Sequence, residues 1–127
     1  MFKKNALGVS ITYTVLLIAV SLAKLDLESV EEIVPSYSDK IFHFLAYALF
    51  TWLWFNSFYF KFNFSKIKSV FRSILVSVTF GIIIEVLQLI LTASRSFDIF
   101  DIIANSLGVL FAVILIQTKI NRDVKKY

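Results

Sequence analysis

The stretch that decides the fold is Gly81–Gly108, GIIIEVLQLILTASRSFDIFDIIANSLG. It reads as two strongly apolar helices joined by a short polar loop. Gly81, Glu85, Gln88 and Thr92 follow one another at spacings of four, three and four, so they form one stripe on the first helix. Asp98, Asp101, Asn105 and Gly108 follow at three, four and three and form one stripe on the second. Arg95 lies in the loop between them. Ionisable groups inside segments this apolar are costly to hold in lipid, so both stripes are expected to face protein or water.

The rest of the composition agrees with a lipid environment. Of 127 residues, 58% are hydrophobic, 17% aromatic and 17% charged. A soluble domain of this size carries about 25% charged residues to cover its surface. The mean hydropathy is +0.80. The expected class is an all-α membrane protein with a single domain over residues 1–127. Cysteine is absent and there is one histidine. Thiolate chemistry and a multi-histidine metal site are therefore excluded, and no cofactor or metal is expected.

Outward from the central stretch, four spans are expected, at residues 5–23, 40–60, 73–92 and 99–118. Asn5 to Ala23 carries no charge and makes roughly 28 Å of helix, enough to cross a bilayer core. Ser21-Leu22-Ala23 has the form of a signal-peptidase site, but the charge-free run is long for a leader, and retention is expected. Lys24 to Asp39 is acidic; Ser29 and Glu32 suit a capped surface helix ending before Pro35. Trp52, Trp54 and Tyr59 suit an interfacial belt at the far end of the second span. Lys61 to Arg72 alternates basic and apolar residues and is expected in the headgroup layer.

The basic residues divide by side. Lys3, Lys4, Lys61, Lys66, Lys68, Arg72, Lys119, Arg122, Lys125 and Lys126 fall on one side, and only Lys24, Lys40 and Arg95 on the other. The positive-inside bias then places both termini in the cytoplasm. The pI near 9.4 is explained by topogenic and lipid-facing charge, and no nucleic-acid partner is expected.

In this topology the start of span two, the end of span three and the start of span four share the extracytoplasmic side. Asp39, His43 and Tyr47 are four apart on one face of span two, with Lys40 adjacent. Together with Glu85, Gln88, Arg95, Asp98, Asp101 and Asn105 they form the candidate binding set. The inner halves of the helices read as nearly all apolar, which argues for a site open to one side rather than a channel. Plainer roles are available for most of these residues. Asp98 and Asp101 suit helix N-terminal caps. Gln88 and Asn105 suit interhelical hydrogen bonding. Gly81, Gly108 and Ala112 suit close helix contact, and His43 suits an interfacial histidine. Glu85 fits a plain role least, because a carboxylate at that depth must be paired, with Arg95 or His43, or carry a proton.

The order Asp39-Lys40-x2-His43-x3-Tyr47, then Glu85-x2-Gln88-x6-Arg95-x2-Asp98-x2-Asp101-x3-Asn105-x2-Gly108, resembles the VanZ-like family of small bacterial membrane proteins. The resemblance covers the whole chain, and its second half is the specific part. It implies a multi-pass protein of the bacterial plasma membrane, in a family whose founding member is linked to resistance to the glycopeptide teicoplanin. It brings no established reaction. Two positions depart from the family pattern. Ala93-Ser94 stand where Pro or Gly often precedes the loop arginine, and Ala112 stands where a second glycine is common.

Four functions compete on this reading. The favoured one is recognition of a polar headgroup on a membrane lipid, a lipid-linked envelope precursor or a lipoglycopeptide. Arg95 and Lys40 would meet phosphate or carboxylate, and Asn105, Gln88 and Tyr47 would supply hydrogen bonds. The alternative is an intramembrane enzyme on a lipid-linked substrate, with His43 or Glu85 as base, Asp101 orienting it and Arg95 stabilising negative charge. A proton- or ion-coupled carrier fits poorly with apolar inner halves. A purely structural bundle, with the stripes as packing contacts, is the plainest reading.

Overall fold

The computed structural model describes residues 5–23, 37–91 and 99–125, with side chains placed for residues 5–21, 40–90 and 99–119. It is all-helical. Helix α1 is Ala6–Ala23 and α2 is Tyr37–Asn56, which runs on into a π-helical turn, Ser57–Lys61. Helix α3 is Lys66–Leu91 and α4 is Ile99–Lys125. Three helical stretches are long and apolar enough to cross a membrane: Lys40–Lys61, Lys66–Ile90 and Ile99–Lys119. The apolar stretch of α1, Ala6–Ser21, is shorter than these. Among the described residues there are four α-helices, as expected, with three reaching spanning length on their own.

Neighbours in the bundle identify how the helices run. Residues Lys40 and His43 of α2 meet Asp101 and Asn105 of α4, so these two helices are parallel and begin at the same end. Helix α3 is antiparallel to both, since Thr51 of α2 meets Ser77 while a side chain added at Gly81 would meet Tyr47. Helix α1 is antiparallel to α2, with Ser10 beside Ser57 and Tyr13 beside Ala46.

The core explains the order. Tyr47, Phe50 and Phe80 stack through the middle of the bundle, with Phe50 and Phe80 rings 4.7 Å apart, and Leu17, Ala46 and Val109 close around them. A second cluster of Phe55, Val70 and Ile116 fills the opposite end. Gly108 sits where α4 presses on α2. A Cβ there would overlap the Phe44 carbonyl oxygen and lie 3.0 Å from its carbon and 3.1 Å from the Ala48 nitrogen. Only a residue without a side chain allows backbones to approach this closely.

The segment Lys61–Arg72 divides in two. The turn closes with Phe62 N–H donating to the Ser57 carbonyl at 3.1 Å, and Asn63 takes a left-handed conformation with φ of 59°. Asparagine tolerates that region better than most side chains. Ser65 Oγ then accepts from Lys68 N–H at 3.2 Å, and the helix proceeds from Lys66. Lys68 and Arg72 both lie over the Phe64 ring, 5.0 and 4.9 Å from its centre. The basic residues from Lys66 to Arg72 are thus the first turns of α3 rather than a separate surface segment.

The half of the bundle near that turn is not purely apolar, contrary to the expectation from sequence. Ser10, Thr51, Ser57, Ser69, Ser73 and Ser77 are fully buried there. Ser10 Oγ lies 2.6 Å from Ser57 Oγ and 2.9 Å from the Leu53 carbonyl, and Thr51 Oγ1 lies 2.8 Å from Ser77 Oγ. Isolated serines escape a hydropathy reading because a helical hydroxyl can return to a carbonyl one turn back, as Thr51 does to Tyr47. These bonds fasten helices together as interhelical contacts. Trp54, expected in an interfacial belt, is likewise tied inward and donates to Thr14 Oγ1 at 3.1 Å.

Candidate functional site

The described residues of both polar stripes face the interior. Glu85 and Gln88 on α3, Asp101 and Asn105 on α4, and His43 and Tyr47 on α2 are each no more than 4% exposed. The register set at Gly108 accounts for the meeting of α2 and α4. One turn above that contact Asn105 stands opposite His43, and a further turn above Asp101 stands opposite Lys40.

Lys40 Nζ lies 2.5 Å from Asp101 Oδ1, a short charge-assisted hydrogen bond at the half-exposed rim of the cluster. The second oxygen of Asp101 lies 3.7 Å from His43 Nε2. The other ring nitrogen, Nδ1, is 2.9 Å from Asn105 Oδ1, which makes Nδ1 the hydrogen-bearing nitrogen. A chain of polar groups therefore runs inward from Lys40 through Asp101 and His43 to Asn105. Asp101 is in the first turn of α4, as a cap would be, and its carboxylate also faces both Lys40 and His43 of α2.

Below this chain the Tyr47 ring stacks on His43 at 6.4 Å, and its hydroxyl has no hydrogen-bond partner among the described residues. Glu85 and Asp101 both lie within electrostatic reach of that hydroxyl. Gly81 clears the space: a Cβ on it would come within 3.0 Å of Asn105 Nδ2 and 3.1 Å of Tyr47 Cε2. Gln88 is used differently. Its amide donates to the Ser21 carbonyl of α1 at 2.8 Å, the interhelical role that its position also allowed.

Arg95 and Asp98 lie outside the described residues, as does the side chain of Asp39. The acidic segment with Ser29 and Glu32 lies outside them too. The structure thus brings together Lys40, His43, Tyr47, Glu85, Asp101 and Asn105, and sets Gln88 between the cluster and α1. Among the described residues these groups are buried, with Lys40 at the rim. Among the described residues, no three His, Asp or Glu side chains are grouped to hold a metal ion.

Sequence reasoning passed over α1 as a plain span. Ser10, Tyr13, Thr14 and Ser21 all bond to other helices, and with buried Leu17 they recur at three, one, three and four residues. That spacing is one helical face, and it is visible in the sequence.

Comparison with known proteins adds an independent line. The family described as VanZ/LLP1 matches residues 7–120. A curated relative, an uncharacterised protein of the fission yeast Schizosaccharomyces pombe, is 39% identical over 79 residues, covering 61% of this chain and 46% of the relative. The chain thus spans less than half the length of that relative. No solved structure matches it. With a family match that runs through all four helices and includes every residue of the polar cluster, the chain belongs to the VanZ/LLP1 family.

Proposed function

We propose that this chain is a multi-pass membrane protein whose buried polar cluster recognises the polar headgroup of a lipid-linked molecule. The positive-inside bias puts both termini in the cytoplasm and the cluster at the outer face of the membrane, and the family resemblance points to a bacterial plasma membrane. The observation that carries the reading is the convergence of Lys40, His43, Tyr47, Glu85, Asp101 and Asn105 from three helices at one end of the bundle. Packing alone calls for interhelical hydrogen bonds; it does not call for two buried carboxylates within electrostatic reach of a buried tyrosine hydroxyl that, among the described residues, has no hydrogen-bond partner. Lys40 at the rim supplies positive charge of the kind a phosphate or carboxylate headgroup needs.

The family resemblance narrows this to a lipid-linked envelope component or a glycopeptide, with teicoplanin resistance as its phenotype. The test is the teicoplanin susceptibility of a sensitive Gram-positive host carrying wild type or Glu85→Gln at matched membrane levels. Protection that Glu85→Gln abolishes supports the narrower reading. No protection by wild type rejects it and leaves the broader one. The yeast relative favours a headgroup chemistry found in both kinds of cell over one confined to bacteria.

A second reading rests on His43. With Nδ1 fixed by Asn105 and Nε2 turned toward Asp101, the imidazole is held as a general base is held in acid–base catalysis. Conversion of the bound lipid, lost in His43→Gln with binding retained, would establish an enzyme.

A further inference from the structure

A long groove lies between α1 and α2, away from the polar cluster. Its wider part, about 760 Å³, is walled by Gly8 and Leu16 of α1 and Leu49 of α2, with Asn5 and Lys61 at one mouth. A second hollow of about 340 Å³ continues it past Tyr13 toward Val20, sharing Leu16 and Leu49. The walls are apolar almost throughout. From Asn5 to Leu16 the groove runs roughly 16 Å along the helix, about half of a ~30 Å hydrocarbon core. Its length is that of one leaflet, and its one charged group, Lys61, is at the end where a headgroup would lie, with Thr12 and Tyr13 lining it farther in.

Gly8 gives this groove its depth. Unlike Gly81 and Gly108, it has nothing within 4 Å of where a Cβ would be, so no helix contact requires a glycine there. Gly8 stands in the first turn of α1, and the notch it leaves opens onto the groove.

We propose that this groove is a binding site for one anionic phospholipid, with an acyl chain lying along Gly8, Leu16 and Leu49 and the phosphate at Lys61 and Asn5. The commitment to an anionic lipid follows from charge. Lys61 is exposed at the mouth, and Lys66, Lys68 and Arg72 follow on the next turns of chain. The proposal is independent of the polar cluster, whose described residues line neither hollow.

The test is native mass spectrometry of the purified full chain in a mixture of phosphatidylglycerol and phosphatidylcholine with identical acyl chains. Wild type is expected to retain one phosphatidylglycerol with roughly fivefold preference, the effect of one lysine near the surface. Lys61→Gln should still bind lipid but lose the preference. Gly8→Leu should retain little lipid while its thermal midpoint equals or exceeds that of wild type, since the side chain enters open space and favours helix. Glu85→Gln should leave this lipid in place, which separates the groove from the headgroup site. Equal retention of both lipids by wild type, or undiminished retention by Gly8→Leu, overturns the proposal. So does a lipid-free dimer, which would assign the groove to a second copy of the chain.

Discussion

Replacing Gly108 with alanine tests the packing on which the polar cluster depends. The new methyl would overlap the Phe44 carbonyl oxygen and sit 3.1 Å from the Ala48 nitrogen. Both are backbone atoms inside α2, so neither can turn aside as a side chain would. Relief requires α4 to move away from α2. Overpacking of this kind costs about 1–3 kcal/mol, and the gain in helix propensity returns about 1 kcal/mol. With backbone as the obstacle the upper part of that range applies, for a net loss of about 1–2 kcal/mol. For a chain of this size that lowers the melting midpoint by roughly 5–10 °C. The assay is thermal unfolding in a fixed detergent, with Gly8→Ala as the control expected to hold or raise the midpoint. Because Asn105 lies one turn above Gly108, the same displacement should loosen its bond to His43. A Gly108→Ala protein as stable as wild type would refute the close approach of α2 and α4 and the register argued from it.

Three further outcomes follow from named contacts. Lys40→Met removes the partner of a buried carboxylate; it should lower stability by about 1–3 kcal/mol, and much less when Asp101→Asn is already present, as a double-mutant cycle in thermal unfolding would show. Ser10→Ala breaks contacts to Ser57 and the Leu53 carbonyl, and should cost about 1 kcal/mol in the same assay. Asn63→Val places a β-branched residue at a φ of 59° and should destabilise the turn by about 1–2 kcal/mol, whereas Asn63→Gly should be neutral or better.

The parts of the molecule that were legible in the sequence share a physical cause. The stripes of Gly81–Gly108 stand out because charged groups are rare in apolar helices, and helical spacing alone assigns them a common face. Parallel entry of α2 and α4 follows from an odd number of crossings between them. What escaped notice carried weaker signals. The hydroxyls of Ser10, Thr51, Ser57 and Ser77 barely alter hydropathy, so the half of the bundle they lace together read as apolar. The π-helical turn at Ser57–Lys61 and the start of α3 at Lys66 depend on backbone bonding that residue types do not announce. Burial of the polar cluster depends on how near two helices come, and a glycine permits that approach without stating its extent.

The central claim is that the cluster of Lys40, His43, Tyr47, Glu85, Asp101 and Asn105 recognises a ligand rather than merely holding helices together. The most direct test extracts and identifies the lipids that remain with purified wild type and with Glu85→Gln, and measures the melting midpoint of both. The account predicts that wild type carries a polar-headed lipid that Glu85→Gln lacks, with midpoints that agree once lipid is removed. Identical lipids on both proteins, with a lower midpoint for Glu85→Gln, would contradict it and leave the cluster as interhelical packing.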